Sequence, residues 1–175
     1  MVSKLEIGWF AGIFDGEGTT TIRMKVTETK NYGMRPRYWT EMTVVNTDKN
    51  IIDRCHSFLD ELNVNHRVYL RKARKENTKP MYTITINGAG IKTLLPKIKN
   101  HCIKKHEFEI LEKALKLGER NQKRGGNKEG LRGKAPMPDE VLDKFDTLRM
   151  KLVAMHGRQA ANLVTLSSKD YKRGI

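Results

Sequence analysis

Apolar and polar residues follow helical spacing in some segments of this chain and strand spacing in others. Residues 5–15 are an apolar stretch that predicts a helix. Residues 19–27 then alternate between polar and apolar side chains, and so do residues 37–44. With a turn around residues 31–33, these two segments predict a long antiparallel hairpin.

The same order follows once more along the chain. Asp48 is a suitable N-cap for a helix whose apolar residues run from Ile51 to Leu62. Residues 67–71 and 82–86 predict two further strands, joined by a basic connection. The helices predicted after them lie at residues 91–98 and 104–118. The order is therefore helix, two strands, helix, two strands, helices.

The last third of the chain has a different composition. Residues 1–118 are expected to form the core domain, and residues 119–138 a flexible loop, because they are rich in glycine and basic residues. Residues 139–175 are expected to form a helix and a tail that pack on the core. The apolar pattern of that helix runs from Val141 to Met155, with Gly157 as a plausible C-cap.

The charge of the chain points to a polyanionic partner. Its 175 residues carry a formal net charge of +14, which favours nucleic acid first and an anionic membrane surface second. No apolar run approaches the ~20 residues of a membrane span, and no secretory segment is visible. We therefore expect an intracellular protein, from the cytoplasm or nucleoid of a prokaryote or from an organelle matrix. Cys55 and Cys102 are then reduced core thiols.

The first predicted helix combines a small-residue face with an acidic end. Gly8, Ala11 and Gly12 leave one face almost without side chains, so a second helix can approach closely. Such an approach would bring together two copies of residues 15–17, Asp-Gly-Glu. Carboxylate and carbonyl oxygens at a helix end suit Mg²⁺ better than zinc. The alternative is an ordinary turn between a helix and a strand.

The polar faces of the predicted strands are rich in basic and hydroxyl side chains. Arginine can bind guanine edges, and threonine and tyrosine adapt to phosphate or base. Alternation of such residues with apolar ones on several strands favours contact with nucleic acid over a merely solvated face. The expected contacts are Thr21, Arg23, Lys25, Arg35, Arg37, Trp39, Arg67, Tyr69, Arg71, Thr83 and Thr85.

Residues 9–18, Trp-Phe-Ala-Gly-Ile-Phe-Asp-Gly-Glu-Gly, resemble the motif of the LAGLIDADG homing endonucleases. Phe10 and Phe14 replace aliphatic residues, and Glu17 replaces the commoner second aspartate. The resemblance implies an α+β fold, with a four-stranded antiparallel saddle-shaped sheet and helices packed on one face. The motif occurs once, which in that family implies a homodimer joined at Gly8, Ala11, Gly12 and Asp15.

The resemblance also implies the roles of site residues. Glu17 and the Gly16 carbonyl would hold Mg²⁺ or another divalent cation. Lys104 matches the active-site lysine after the second pair of strands, and Asn46 matches a residue that orders solvent near the metal. Asn50 stands where some relatives carry a second basic residue, and Lys49 could substitute for it.

The implied function is metal-dependent, site-specific cleavage of double-stranded DNA at a long, roughly palindromic target, leaving 3′ overhangs. Two alternatives within the same fold are an intron RNA maturase, which would bind the host intron RNA, and a DNA-binding regulator without catalysis. A structural zinc site is not favoured, because the histidines and cysteines around positions 55–56 and 101–106 lack regular ligand spacing.

Overall fold

The computed structural model describes residues 2–29, 33–71, 79–124 and 137–156. Their elements are α1 (Lys4–Glu17), β1 (Gly18–Thr29), β2 (Gly33–Asn46), α2 (Lys49–Glu61), β3 (His66–Arg71), β4 (Met81–Asn87), α3 (Gly88–Ile98), a 3-10 turn (Lys99–His101), α4 (Lys105–Arg124) and α5 (Asp139–Met155). The strands form one sheet in the order β1-β2-β4-β3, and β4 pairs antiparallel with both β2 and β3. The predicted α+β class with a four-stranded antiparallel sheet is confirmed.

The first two helices begin at side-chain caps that are visible in the sequence. The Ser3 hydroxyl accepts from the Glu6 backbone N–H, and the Glu6 carboxylate accepts from the Ser3 N–H at 2.8 Å, which completes a capping box. These hydrogen bonds hold the pKa of Glu6 below its ordinary value. Asp48 caps α2 by accepting from the Asn50 N–H at 2.8 Å, as predicted.

One compact unit comprises residues 1–20 and 41–108. In it, α2 and α3 pack against β4, and α1 packs against α2 and α3. The Phe10 and Phe58 rings stack with centroids 4.6 Å apart. Gly90 at the start of α3 lets the helix approach the turn before β3, since a Cβ there would lie 2.1 Å from the Asn65 carbonyl oxygen.

The other compact unit comprises the described residues of the ranges 21–40 and 109–156. Its contacts include those between β2 and α5. Tyr38 stacks on Phe145 with ring centroids 5.1 Å apart, and its hydroxyl donates to Asp146 at 2.5 Å. Val141 and Leu142 of α5 are also buried. This helix therefore uses the apolar face that the sequence predicts.

Two helices end beyond the predicted positions, and a third is capped one residue earlier than predicted. The α1 helix continues through Gly16 and Glu17 to a C-cap at Gly18, whose N–H closes the last turn on the Phe14 carbonyl. The α4 helix extends to Arg124 rather than Gly118. The α5 helix is capped at His156 rather than Gly157. Residues 125–136 of the predicted basic loop and residues 157–175 of the tail lie outside the described residues, so the domain division stays a prediction.

None of the helices in the described ranges is long and apolar enough to cross a lipid bilayer.

Candidate functional site

The site begins at the C-terminal end of α1, where the chain passes directly from helix into β1. Gly18 makes this possible, because a Cβ there would lie 2.4 Å from the Phe14 carbonyl oxygen. Gly16 and Glu17, in the last helical turn, are both exposed. The Glu17 side chain therefore extends from the helix end without being held in the core.

The electrostatics of this helix end favour a cation. The last turn of α1 contains Asp15 and Glu17 and no basic residue. The last carbonyls of a helix carry partial negative charge, so an anionic side chain there costs about 0.3–1 kcal/mol. Two carboxylates at the negative end of a helix are therefore unfavourable for the helix itself. A positive charge bound at this end would offset the cost.

Lys104 brings one positive charge to the same helix end. Its ammonium donates to the Phe14 carbonyl at 3.2 Å and to the Gly18 carbonyl at 2.5 Å, and the side chain is half-buried. The Lys104 carbonyl in turn accepts from the Phe108 N–H at the start of α4. The predicted pair of Glu17 and Lys104 is thus brought to one place, since Lys104 binds the carbonyls on either side of Gly16 and Glu17.

Asp15 ties α1 to the segment before α4. One of its carboxylate oxygens accepts from the Ile103 N–H at 2.9 Å.

The two cysteines are buried thiols. Burial, and secondarily the Asp15 charge, raise the pKa of the Cys102 thiol to about 12, and burial raises the pKa of the Cys55 thiol to about 12. Both thiols are therefore protonated at neutral pH, in agreement with their predicted role as core residues.

The small residues of α1 differ in their exposure. Ala11 is fully buried and its carbonyl accepts from the Cys102 thiol, so its place in a dimer interface stays a prediction. Gly8 and Gly12 are exposed, and a Cβ at either would meet nothing within 4 Å. Leu5, one turn before Gly8, is 81% exposed. Leu5, Gly8 and Gly12 therefore form an uncovered stripe at helical spacing, which we call the α1 stripe.

Asn46 is held by a local role at the end of β2. Its side-chain oxygen accepts from the Asp48 N–H at 2.8 Å, which shapes the turn into α2. No contact among the described residues brings Asn46 to Glu17 or Lys104, so its predicted role in catalysis stays a prediction. Lys49, the substitute basic residue, pairs with Asp53 at 2.5 Å, and this hydrogen bond raises the pKa of its ammonium.

Strands β1 and β2 carry one part of the predicted basic face. In β1 and β2, Arg23, Lys25, Arg37 and Trp39 are exposed, whereas Thr21 and Arg35 are half-buried. Ile22, between Thr21 and Arg23 on β1, is buried, as the alternation predicts. This part of the sheet therefore has the apolar and the basic face that the sequence indicates.

In the other unit, Arg67, Tyr69 and Arg71 are exposed on β3. Thr83 and Thr85 of β4 are only 4% and 8% exposed, and the Thr85 hydroxyl donates to the Tyr69 hydroxyl at 3.4 Å. In the antiparallel register Thr85 lies opposite Arg67 and Thr83 opposite Tyr69, whose longer side chains are exposed. The predicted contact of the two threonines with nucleic acid stays a prediction.

One residue near the site was not predicted. Glu107 in the first turn of α4 is only 9% exposed, and its carboxylate accepts from the buried Thr20 hydroxyl. A glutamate in the first turn of a helix is commonly a solvated residue that suits the helix dipole. Only the packing of α4 reveals that this one is buried.

Residues 4–99 match the sequence profile of the LAGLIDADG-like domain. An uncharacterised protein of Methanocaldococcus jannaschii is 35% identical over 69 residues, which are 39% of this chain and 23% of that protein's length. The chain thus matches less than a quarter of that relative.

Three solved structures share the fold at low sequence identity. The homing endonuclease I-CvuI, in complex with the I-CreI target, aligns over 97% of this chain and 92% of its own, with a TM-score of 0.64 and 17% identity. The homing endonuclease I-TnaI covers 99% of this chain and 96% of its own, with a TM-score of 0.59 and 19% identity. The archaeal intron-encoded homing endonuclease I-Vdi141I, complexed with DNA, covers 86% and 83%, with a TM-score of 0.62 and 14% identity.

Proposed function

Because this chain belongs to the family of LAGLIDADG-like domains, we propose that it is a homing endonuclease that cuts double-stranded DNA as a homodimer. The observation that carries the proposal is the end of α1. An exposed Glu17 lies at the negative end of a helix, and Lys104 binds the carbonyls on both sides of it. The Glu17 carboxylate destabilises this helix end and favours binding of a cation, and the Lys104 ammonium favours binding of a phosphate.

The donor atoms at this helix end fit a divalent cation. The Glu17 carboxylate and the Gly16 carbonyl are hard oxygen ligands, and both residues are exposed to solvent. Mg²⁺ prefers such ligands and keeps several of its waters. When bound, the cation supplies activation of water and stabilisation of charge on the phosphate. We assign Gly16 and Glu17 as its protein ligands.

Lys104 contributes the second positive charge of the site. Its ammonium is already oriented by the Phe14 and Gly18 carbonyls, so little side-chain entropy is lost when a phosphate arrives. In this position it stabilises negative charge that develops on the scissile phosphate. Asn46 is proposed to order solvent beside the metal through its amide nitrogen, since its oxygen is already bonded to the Asp48 N–H.

A second copy of the chain completes the site. The α1 stripe offers exposed glycines and an exposed Leu5, and Ile103 beside Asp15 is 83% exposed. Two chains that pair through this stripe would bury these apolar side chains and bring two Glu17 carboxylates together. Two close carboxylates repel each other, so the pair requires bound cations. Asp15 then orients the end of each helix from within its own chain.

The exposed basic residues of the strands are the proposed DNA contacts. They are Arg23, Lys25, Arg37 and Trp39 in one unit and Arg67, Tyr69 and Arg71 in the other, with Thr21 and Arg35 half-buried among them. I-CvuI and I-Vdi141I, which share the fold, were both solved with DNA. Two-fold symmetry of the dimer implies a long, roughly palindromic target.

Cleavage of the intron-less allele of the host gene tests this proposal. Purified protein with Mg²⁺ should make one cut in each strand and leave short 3′ overhangs, which sequencing of the product ends would reveal. Tight binding of the DNA without cleavage, whichever divalent cation is supplied, would contradict the proposed nuclease activity and favour a DNA-binding regulator. Binding to the host intron RNA, measured in parallel, would instead indicate a maturase.

A further inference from the structure

Two histidines and an aspartate meet at a place that is distinct from the nuclease site. His56 and Asp60 lie one turn apart on α2, and His66 is the first residue of β3. Asn63, at a φ of 53°, reverses the chain between these elements. The three side chains line one side of a groove of about 500 Å³, together with Val64, Asn65 and Val68. We call these three residues the His-Asp cluster.

The distances within the His-Asp cluster suit a single metal ion. His56 Nδ1 lies 2.7 Å from His66 Nε2 and 3.3 Å from an Asp60 carboxylate oxygen. His66 Nε2 lies 3.9 Å from the other Asp60 oxygen. In a tetrahedral site with bonds of about 2.0–2.2 Å, ligand atoms are about 3.3–3.6 Å apart. The observed separations scatter around that value, so small side-chain rotations would complete the site.

The tautomer of His66 directs a lone pair into this cluster. His66 Nδ1 lies 2.8 Å from the Val64 carbonyl oxygen, which can only accept, so the proton of the neutral ring is on Nδ1. Nε2 therefore presents its lone pair to His56 and Asp60. A metal-ligating histidine commonly donates its other ring N–H to a backbone carbonyl in this way. The His66 side chain is only 5% exposed, so its ring is already oriented.

From this geometry we propose that His56, Asp60 and His66 bind a divalent transition-metal ion, with Zn²⁺ as the expected occupant. Two imidazole nitrogens and one carboxylate oxygen suit zinc, whereas Mg²⁺ prefers oxygen ligands alone. The groove leaves the fourth position open to water. On binding, the exposed His56 ring changes tautomer: Nδ1 gives its proton to solvent water, Nε2 takes one up from water, and the freed Nδ1 lone pair becomes the third protein ligand.

The bound ion would connect the last turns of α2 to the beginning of β3. The strand continues from His66 directly into Arg67, Tyr69 and Arg71, the exposed residues of that strand face. The same strand is at the edge of the sheet, where it pairs with β4 alone. A metal at its first residue would therefore stabilise an edge strand. Metal binding at the His-Asp cluster is independent of the proposed nuclease activity.

Calorimetric titration of the tag-free, chelator-treated full chain with Zn²⁺, in excess Mg²⁺, tests the inference. We expect one Zn²⁺ per chain, and Co²⁺ in its place should give the intense visible absorption of tetrahedral coordination. Removal of an outer-shell partner of a metal ligand costs about 10–100-fold in affinity, so His56→Ala and His66→Ala should each cost at least about tenfold. His56 is exposed, which makes folding of His56→Ala secure even if His66→Ala unfolds.

Two control variants separate this site from others. His101→Ala removes an exposed imidazole outside the cluster, and Glu17→Gln removes the proposed Mg²⁺ ligand. Both should bind Zn²⁺ as the wild type does. Absence of Zn²⁺ binding by the wild type would overturn the inference. Equal affinity of His56→Ala and wild type, or loss of binding in His101→Ala, would also overturn it.

Discussion

Replacement of Gly12 by leucine separates association of the chain from its folding. Gly12 is exposed in the middle of the α1 stripe, and a Cβ at this position meets nothing within 4 Å. Leucine at position 12 therefore fits the isolated chain without a clash. If two chains pair through the stripe, two leucines would occupy the space where the helix backbones meet. We expect Gly12→Leu to be a folded monomer.

Gly12→Leu should stabilise the folded monomer and destabilise the dimer. Leucine is a better helix former than glycine by roughly 1 kcal/mol, so the free energy of unfolding of the monomer should rise by about that amount. Overpacking of a formed interface costs about 1–3 kcal/mol for each inserted side chain. Because each chain contributes one leucine, the free energy of association of the dimer should fall by about 2–6 kcal/mol. Since about 1.4 kcal/mol corresponds to a tenfold change in affinity, association should weaken roughly 30-fold or more.

Sedimentation and thermal unfolding measure both effects. The wild type should sediment as a dimer at micromolar concentration, with a Tm that rises with protein concentration, because association stabilises only the folded chain. Gly12→Leu should sediment as a monomer with a Tm independent of concentration. Lys113→Leu places an exposed leucine on α4 instead and should remain a dimer. A monomeric wild type that is fully active, or a dimeric Gly12→Leu, would refute the assignment of the stripe.

Three further predictions concern the site and the strand faces. Lys104→Met should lower the free energy of unfolding in urea by about 1.5–3 kcal/mol, the range for a hydrogen bond to a charged group. Lys105→Met, at the exposed neighbouring position, should leave it unchanged. Equal urea midpoints of the two variants would show that Lys104 does not cap α1. Logarithmic plots of DNA affinity against salt should have a steep slope, about −0.9 for each phosphate contacted, and a flat plot would exclude a DNA surface. Each of Arg23, Arg37, Arg67 and Arg71 is replaced by alanine in turn, and at least one variant should lose ~1–3 kcal/mol of binding free energy on the target and relax base preference in library cleavage. Loss of an arginine that contacts phosphate should instead weaken binding to all sequences alike. Unchanged base preference in every variant would count against base reading by these arginines.

Periodicity predicted β1 and β2 because each has one face against the core, whereas residues 67–71 of β3 are exposed on both faces. The alternation around Ile22 and that between Met42 and Val44 both correspond to buried side chains. The Asp48 cap was predictable because capping depends on neighbours in sequence. Glu17 and Lys104 followed from resemblance, and their meeting at one helix end depends on contacts across the chain.

Sequence patterns did not show burial that depends on a neighbouring element. Ala11 lies beside Gly12 in sequence, but adjacent helical residues face different directions, and Ala11 is in the core. Thr83 and Thr85 lie on the strand face that the pattern assigns to them, yet both are buried opposite Tyr69 and Arg67 of β3. The His-Asp cluster could not be found from spacing, because Asn63 turns the chain so that His66 returns to α2.

Cleavage by Glu17→Gln tests the central claim most directly. Glu17 is exposed at the end of α1, and glutamine keeps the shape of the side chain while removing its charge. The variant should fold as the wild type does, bind the target DNA nearly as tightly and cut neither strand in Mg²⁺. Loss of both binding and folding would leave the residue structural rather than catalytic. Full cleavage by Glu17→Gln in Mg²⁺ would contradict the account.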